Sequence, residues 1–298
     1  MTEYTGAKGM DQSMSNTCLT IVASLIALAI PGAQIAAAGE FSSPWQDNPY
    51  ARARLIATGY PTAGDKSQVV HTGLQIELDP GWKTYWRIPG DSGIPPQIKW
   101  DGSTNIKSIE LSWPTPHRFI DKYGMSIGYK NEIVLPVKIV PKDKTAPIHL
   151  ALELNYAVCA EVCLPASANM TLEIKPENSK TGPFKRKLQR YLEQVPKISQ
   201  SSKGLRVSKL DVSGEGEHVA LSFEVENPKG DALVDVFVEG DETLFFGTPK
   251  KIIHKGSVSL VEVYVSGVKS AKALVGKKLR FTLVGKKSSV DQYWAVGG

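Results

Sequence analysis

Little in this sequence advertises chemistry. Three cysteines and five histidines serve 298 residues, and no histidine has the HxxxH or HExxH spacing that brings two imidazoles to one metal. There is no GxSxG turn to present a nucleophilic serine. An acidic calcium loop and a glycine-rich phosphate cradle are absent too, so no cofactor is expected. Internal repeats and low-complexity tracts are missing as well. The charge excess is only +5. Its basic clusters, at 185–187, 250–251, 277–278 and 286–287, are short and lack interleaved aromatics, which argues against a nucleic-acid partner.

One long apolar stretch exists, CLTIVASLIALAI over 18–30, followed by Pro31, Gly32 and the small residues Ala36, Ala37 and Ala38. This is the pattern of an export signal over residues 1–38, cleaved after Ala38. The n-region is thin, with Lys8 against Glu3 and Asp11, so Met10 or Met14 are alternative starts. The stretch falls short of the ~20 residues of a comfortable membrane span, and nothing later in the chain is long and apolar enough to cross a bilayer. Cys18 would leave with the signal. The exported chain then keeps two thiols, Cys159 and Cys163.

The remainder reads as all-β. Alternating or apolar runs at 69–78, 106–111, 133–140, 148–156 and 170–174 are separated by Pro and Gly, as in an antiparallel sandwich over 45–175. Pro80-Gly81, the PGDSG at 89–93 and Pro95-Pro96 are the strongest turn signals. Trp82, Tyr85, Trp86, Trp100 and Trp113 lie among them and are expected to pack the core. Over 181–196, Phe184, Leu188, Tyr191, Leu192 and Val195 recur on one helical face behind a capping Thr181, predicting an amphipathic helix. With the linker up to 204 it connects to a second, smaller β-sandwich over 205–298. Strands are expected there at 205–212, 218–225, 233–239, 250–254, 257–265 and 278–284. His218 and His254 are expected at the surface.

The two cysteines sit in YAVCAEVCLP, residues 156–165. A disulfide needs Cα atoms roughly 4.4–6.8 Å apart, whereas four residues of one extended strand span about 13 Å. The strand must therefore break within Ala160, Glu161 and Val162 if the two are bonded. Pro165, which cannot donate to a ladder, suggests that the pairing stops near it. As a staple the bond would be weak, since so short a loop contributes only about 2 kcal/mol. Exposed pairs of this kind are candidates for thiol exchange. The alternatives are a structural disulfide or a Cu(I) site, which two thiolates suit. His149, the nearest histidine, has no partner spacing for such a site.

The cysteine box, together with GWKTYW at 81–86, the PGDSG turn, Tyr123-Gly124, Tyr129 and Leu135-Pro136-Val137, resembles the amino-terminal periplasmic domain of the DsbD and ScsB thiol:disulfide reductants. Residues 205–298 more loosely resemble the second immunoglobulin-like module of ScsB-type members. The resemblance implies a periplasmic immunoglobulin-like sandwich whose pair takes electrons from a membrane-embedded thiol reductant and passes them to periplasmic thioredoxin-like proteins. It implies roles too. Cys163 forms the mixed disulfide and Cys159 resolves it. Tyr123 is the expected lid of a cap loop, with Lys122 where the family usually has an aromatic. Tyr156, Glu161 and Pro165 are the expected surroundings; Glu161 is either a charge that raises the thiol pKa or a solvated turn residue. No multi-span segment or second CxxC follows in this sequence, so the expected donor is a separate polypeptide. A copper-handling or partner-binding sandwich is the alternative of another class.

Overall fold

The computed structural model describes residues 39–61, 68–122, 124–177, 182–199 and 204–297. The expected export signal, Tyr123 and Thr181 lie outside these residues. Eleven strands build the first sandwich: β1 (Gln46–Asn48), β2 (Ala51–Ala57), β3 (Val70–Leu78), β4 (Lys83–Tyr85), β5 (Gln97–Lys99), β6 (Ile106–Leu111), β7 (His117–Asp121), β8 (Gly124–Lys130), β9 (Glu132–Pro141), β10 (Ile148–Cys159) and β11 (Cys163–Ile174). One sheet runs β1-β2-β3-β9-β6 and the other β11-β10-β4-β8-β7, with β5 also on β10. This is the expected immunoglobulin-like layout of two antiparallel layers around one core.

Side-chain alternation explains why these segments pair as they do. In β10, Ile148, Leu150, Leu152, Leu154 and Tyr156 are buried in the core while His149 and Glu153 face out. A one-residue slip would put five apolar side chains into water, so the register is tightly specified. Trp86 is the largest wholly buried side chain, and Trp82, Trp100 and Trp113 pack half-buried against the same core.

The helix α1 (Lys185–Glu193) begins four residues inside the expected span and buries Leu188 and Tyr191 against β9 and β3. Polar contacts fix its docking: the Glu132 carboxylate accepts hydrogen bonds from Lys187, Gln75 and Tyr191. Burial alone would raise this carboxyl, but those bonds and the Lys187 charge hold it below its ordinary pKa.

The second sandwich comprises β12 (Lys197–Ile198), β13 (Arg206–Ser213), β14 (Ala220–Glu226), β15 (Leu233–Glu239), β16 (Phe245–Phe246), β17 (Lys251–Lys255), β18 (Val258–Ser266), β19 (Lys278–Gly285) and β20 (Ser289–Ala295). One sheet is β12-β20-β19-β15; the other is β13-β14-β18-β16, with β17 on β18. It has its own core, built around Phe223 and Phe281. His218 and His254 are exposed, as expected. The two sandwiches belong to one compact unit.

Candidate functional site

Cys159 ends β10 and Cys163 begins β11, so the CxxxC is the tip of a hairpin whose arms pair over their full twelve residues. The chain does break within Ala160–Val162, as disulfide geometry required. It does not stop pairing at Pro165. Pro165 lies opposite Ala157 on β11, the edge strand of its sheet, where a missing N–H can face away from the ladder. That proline also sets the register. A residue that cannot donate belongs in a non-hydrogen-bonded pair, and two positions further along the pair type repeats. Cys159 and Cys163 thus occupy the close type of pair, at about 4.5 Å between Cα atoms. The observed separation is 4.2 Å, and the sulfurs are bonded. The next pair closes the ladder, with the Ala160 N–H donating to the Val162 carbonyl at 3.1 Å.

The two sulfurs differ in access. Cys159 is 1% exposed and packs in a small cluster with Tyr85 and Ala157, whereas Cys163 is an exposed residue. The Tyr85 hydroxyl lies 3.4 Å from the Cys163 sulfur. Burial, and secondarily the Asp121 charge, raise the Tyr85 pKa, so this phenol keeps its proton and can donate to a thiolate.

A line of four residues crosses the sheet at this level. Cys163 is opposite Cys159, Cys159 is opposite Lys83, and Lys83 is opposite Lys130. Directly opposed residues share a face and touch, so Lys83 is the side neighbour of the buried cysteine. Its ammonium donates to Asp121 at 2.8 Å and to Ser126 Oγ at 2.9 Å. Phe119 of β7 lies over both lysine heads, 5.7 Å from Lys83 Nζ and 4.7 Å from Lys130 Nζ. The β7–β8 hairpin therefore walls a cleft that Lys83, Phe119, Ile120, Cys159 and Glu161 line. Ile120, which lines it, is 73% exposed, and Val162, between Glu161 and Cys163, is 59% exposed, so apolar surface lies next to the disulfide. Gly128, opposite Tyr85, is required for this closeness: a Cβ there would stand 1.9 Å from the Thr84 carbonyl oxygen.

Of the residues expected at the site, the structure brings together Cys159, Cys163 and Glu161. Pro165 acts through the register. Tyr156 points the other way, into the core, because it lies an odd number of residues from Cys159. Burial pushes its pKa up to about 12. Lys122, in the expected cap, is exposed at the end of the β7–β8 turn. Sequence reasoning missed Lys83, Tyr85, Phe119, Asp121 and Ser126. A lysine alternating with a tyrosine inside an aromatic-rich run was the available signal for the first two. Among the described residues no three His, Cys, Asp or Glu side chains converge on a metal site, and no helix is long and apolar enough to cross a membrane.

Comparison with known proteins adds family context. Residues 57–174 match the family described as thiol:disulfide interchange protein DsbD, N-terminal. Residues 194–297 match a domain of unknown function, DUF8393. The chain superimposes on the crystal structure of the N-terminal periplasmic domain of ScsB from Proteus mirabilis with a TM-score of 0.66 and 23% identity, covering 86% of this chain and 98% of that one. At that identity the likeness concerns the fold. No curated protein matches the chain.

Proposed function

We propose that this chain, whose residues 57–174 belong to the DsbD N-terminal family, is a periplasmic thiol:disulfide exchange module working through Cys159 and Cys163. The observation that carries the reading is the asymmetry of the pair: Cys163 is an exposed residue, and Cys159 is buried at the sheet position opposite a lysine. In the oxidised protein an incoming thiolate attacks the Cys163 sulfur. The S–S bond breaks, and its electron pair leaves on Cys159 as a thiolate, at the sheet position opposite Lys83. A mixed disulfide now joins Cys163 to the donor. A second donor thiolate attacks the donor's own sulfur in that bond, releasing the reduced pair. Passing electrons on reverses these roles: the Cys163 thiolate attacks an acceptor disulfide, then Cys159 attacks Cys163 and expels the acceptor as a dithiol. Two electrons move, and no cofactor enters the scheme.

On this reading the donor is a membrane-embedded thiol reductant and the acceptors are periplasmic thioredoxin-like proteins. The exposed Ile120 and Val162 supply an apolar rim for such partners. Equilibration in glutathione buffers tests the exchange reading. The expected potential lies above about −300 mV, the level below which structural disulfides of secreted proteins typically fall. A lower value would place the pair among staples and reject the proposal.

A further inference from the structure

In the second sandwich β15 turns its outer face to the first sandwich, although Glu239 on that face also lies 3.7 Å from Arg280 of its own sandwich. Along β15, Val236 and Val238 enter the second core, so Asp235, Phe237 and Glu239 project from the opposite face. All three meet the first sandwich. Asp235 accepts hydrogen bonds from Arg118, from Nε at 3.1 Å and Nη2 at 3.2 Å, and the same Nη2 reaches the Val236 carbonyl at 2.8 Å. Glu239 accepts two from Arg87, at 2.9 and 2.7 Å. Phe237 is counted in the core of the first sandwich, with its ring 5.5 Å from Trp86 and 4.8 Å from the Arg118 guanidinium.

Both arginine side chains are largely dry, 9% exposed at Arg118 and 17% at Arg87. Two-pronged arginine–carboxylate pairs fix geometry, and removing one partner leaves a charge stranded in a poorly solvated place. Their positions in the chain give the contact its meaning. Arg118 is on β7, three residues before Asp121. Arg87 follows β4 by two residues and stacks on Trp86. β4 carries Lys83 and Tyr85; β7 carries Phe119 and Asp121. One acidic residue of β15 thus holds β7, which lines the disulfide cleft, and the other holds the segment that directly follows β4, the strand of Lys83. β7 and β15 are both end strands of their sheets, and the described contacts between them run through side chains instead of a ladder, so they can part without cost to either sheet.

We propose that the second sandwich is a clamp on the redox site: Asp235, Phe237 and Glu239 hold β4 and β7 closed over Cys159, and release of this contact opens the buried sulfur to attack. The significance of the clamp rests on the exchange reading, but its test needs no protein partner. The full chain and its D235N/E239Q variant are reduced, and alkylation of each cysteine by iodoacetamide is followed by peptide mass spectrometry, alongside hydrogen exchange over 117–121. Alkylation of Cys159 is expected to rise roughly five- to tenfold, the lower part of the range for coupling between two sites, with faster exchange in β7 and an unchanged rate at Cys163. Equal Cys159 rates in variant and parent would overturn the clamp. If the double variant unfolds, Arg118→Asp alone is compared with Arg118→Asp combined with Asp235→Arg. The restored pair is expected to be slow and the single variant fast, and equal rates would again overturn the proposal. A failure of the exchange reading would appear in the redox potential and leave this comparison intact.

Discussion

Reduced protein is expected to react with iodoacetamide at Cys163 on the order of 100-fold faster than at Cys159, if opening the buried site costs about 3 kcal/mol. Two effects compete. The lysine beside Cys159 favours its thiolate, and a thiolate is the reactive form. A shift of about one pKa unit, however, changes the thiolate fraction by at most about tenfold. Access outweighs it, because Cys159 is 1% exposed and enclosed by Tyr85 and Ala157, while Cys163 needs no opening. In the proposed mechanism the same imbalance directs the incoming thiol to Cys163 and leaves the electron pair on Cys159. Comparable rates at the two sulfurs would mean that the cleft is open in solution, and the division of roles would fall with it.

Replacing Lys83 with methionine is expected to lower the redox potential by about 30 mV, a tenfold change in the exchange equilibrium, and to slow exchange about threefold, because a positive charge is lost from the sheet position opposite Cys159. The sign follows from which state carries the charge. Lys83 faces Cys159 across the ladder and favours the thiolate, which exists only in the reduced pair. Removing the ammonium therefore favours the disulfide, moves the potential to a more negative value and raises the Cys159 pKa. Asp121, 2.8 Å from the ammonium, opposes part of the lysine's field, so the effect lies well below the unscreened Coulomb value for neighbouring charges. Methionine keeps most of the lysine's aliphatic stem, and a packing loss alone would change stability and leave the pH–rate profile of the exchange where it was. Potential and pH profile measured on one preparation separate the two.

The parts of the fold legible in the sequence are those with strong two-residue periodicity or a continuous apolar stretch. The run at 148–156 lies within β10 and alternates because most of that strand buries one face only, while the run at 133–140 lies within β9 and was legible as a continuous apolar stretch, buried on both faces between the core and α1. β4, β7 and β8 escaped because three to seven residues such as KTY or HRFID show no clear alternation. Those strands carry Lys83, Tyr85, Phe119 and Asp121, so the surroundings of the disulfide were hidden with them. Lys83 was invisible for a further reason: a lysine reads as solvated until pairing places a carboxylate and a hydroxyl around it. The role of Asp235 and Glu239 is hidden in the same way. In sequence they mark the wet face of a strand, and only docking of the two sandwiches turns that face inward. The cysteine box itself was legible, since a bond between cysteines at this spacing requires the strand to break between Cys159 and Cys163.

The most direct test is trapping. Cys159→Ser, which keeps the exposed sulfur and removes the resolving one, is expected to accumulate a mixed disulfide through Cys163 when incubated with an oxidised thioredoxin-like protein after reduction, whereas Cys163→Ser accumulates none. Mass spectrometry of the non-reduced adduct identifies the linked cysteine. A covalent adduct at Cys163 in the first variant alone is the predicted result. No adduct in either variant, or equal adducts in both, would contradict a relay in which Cys163 exchanges and Cys159 resolves.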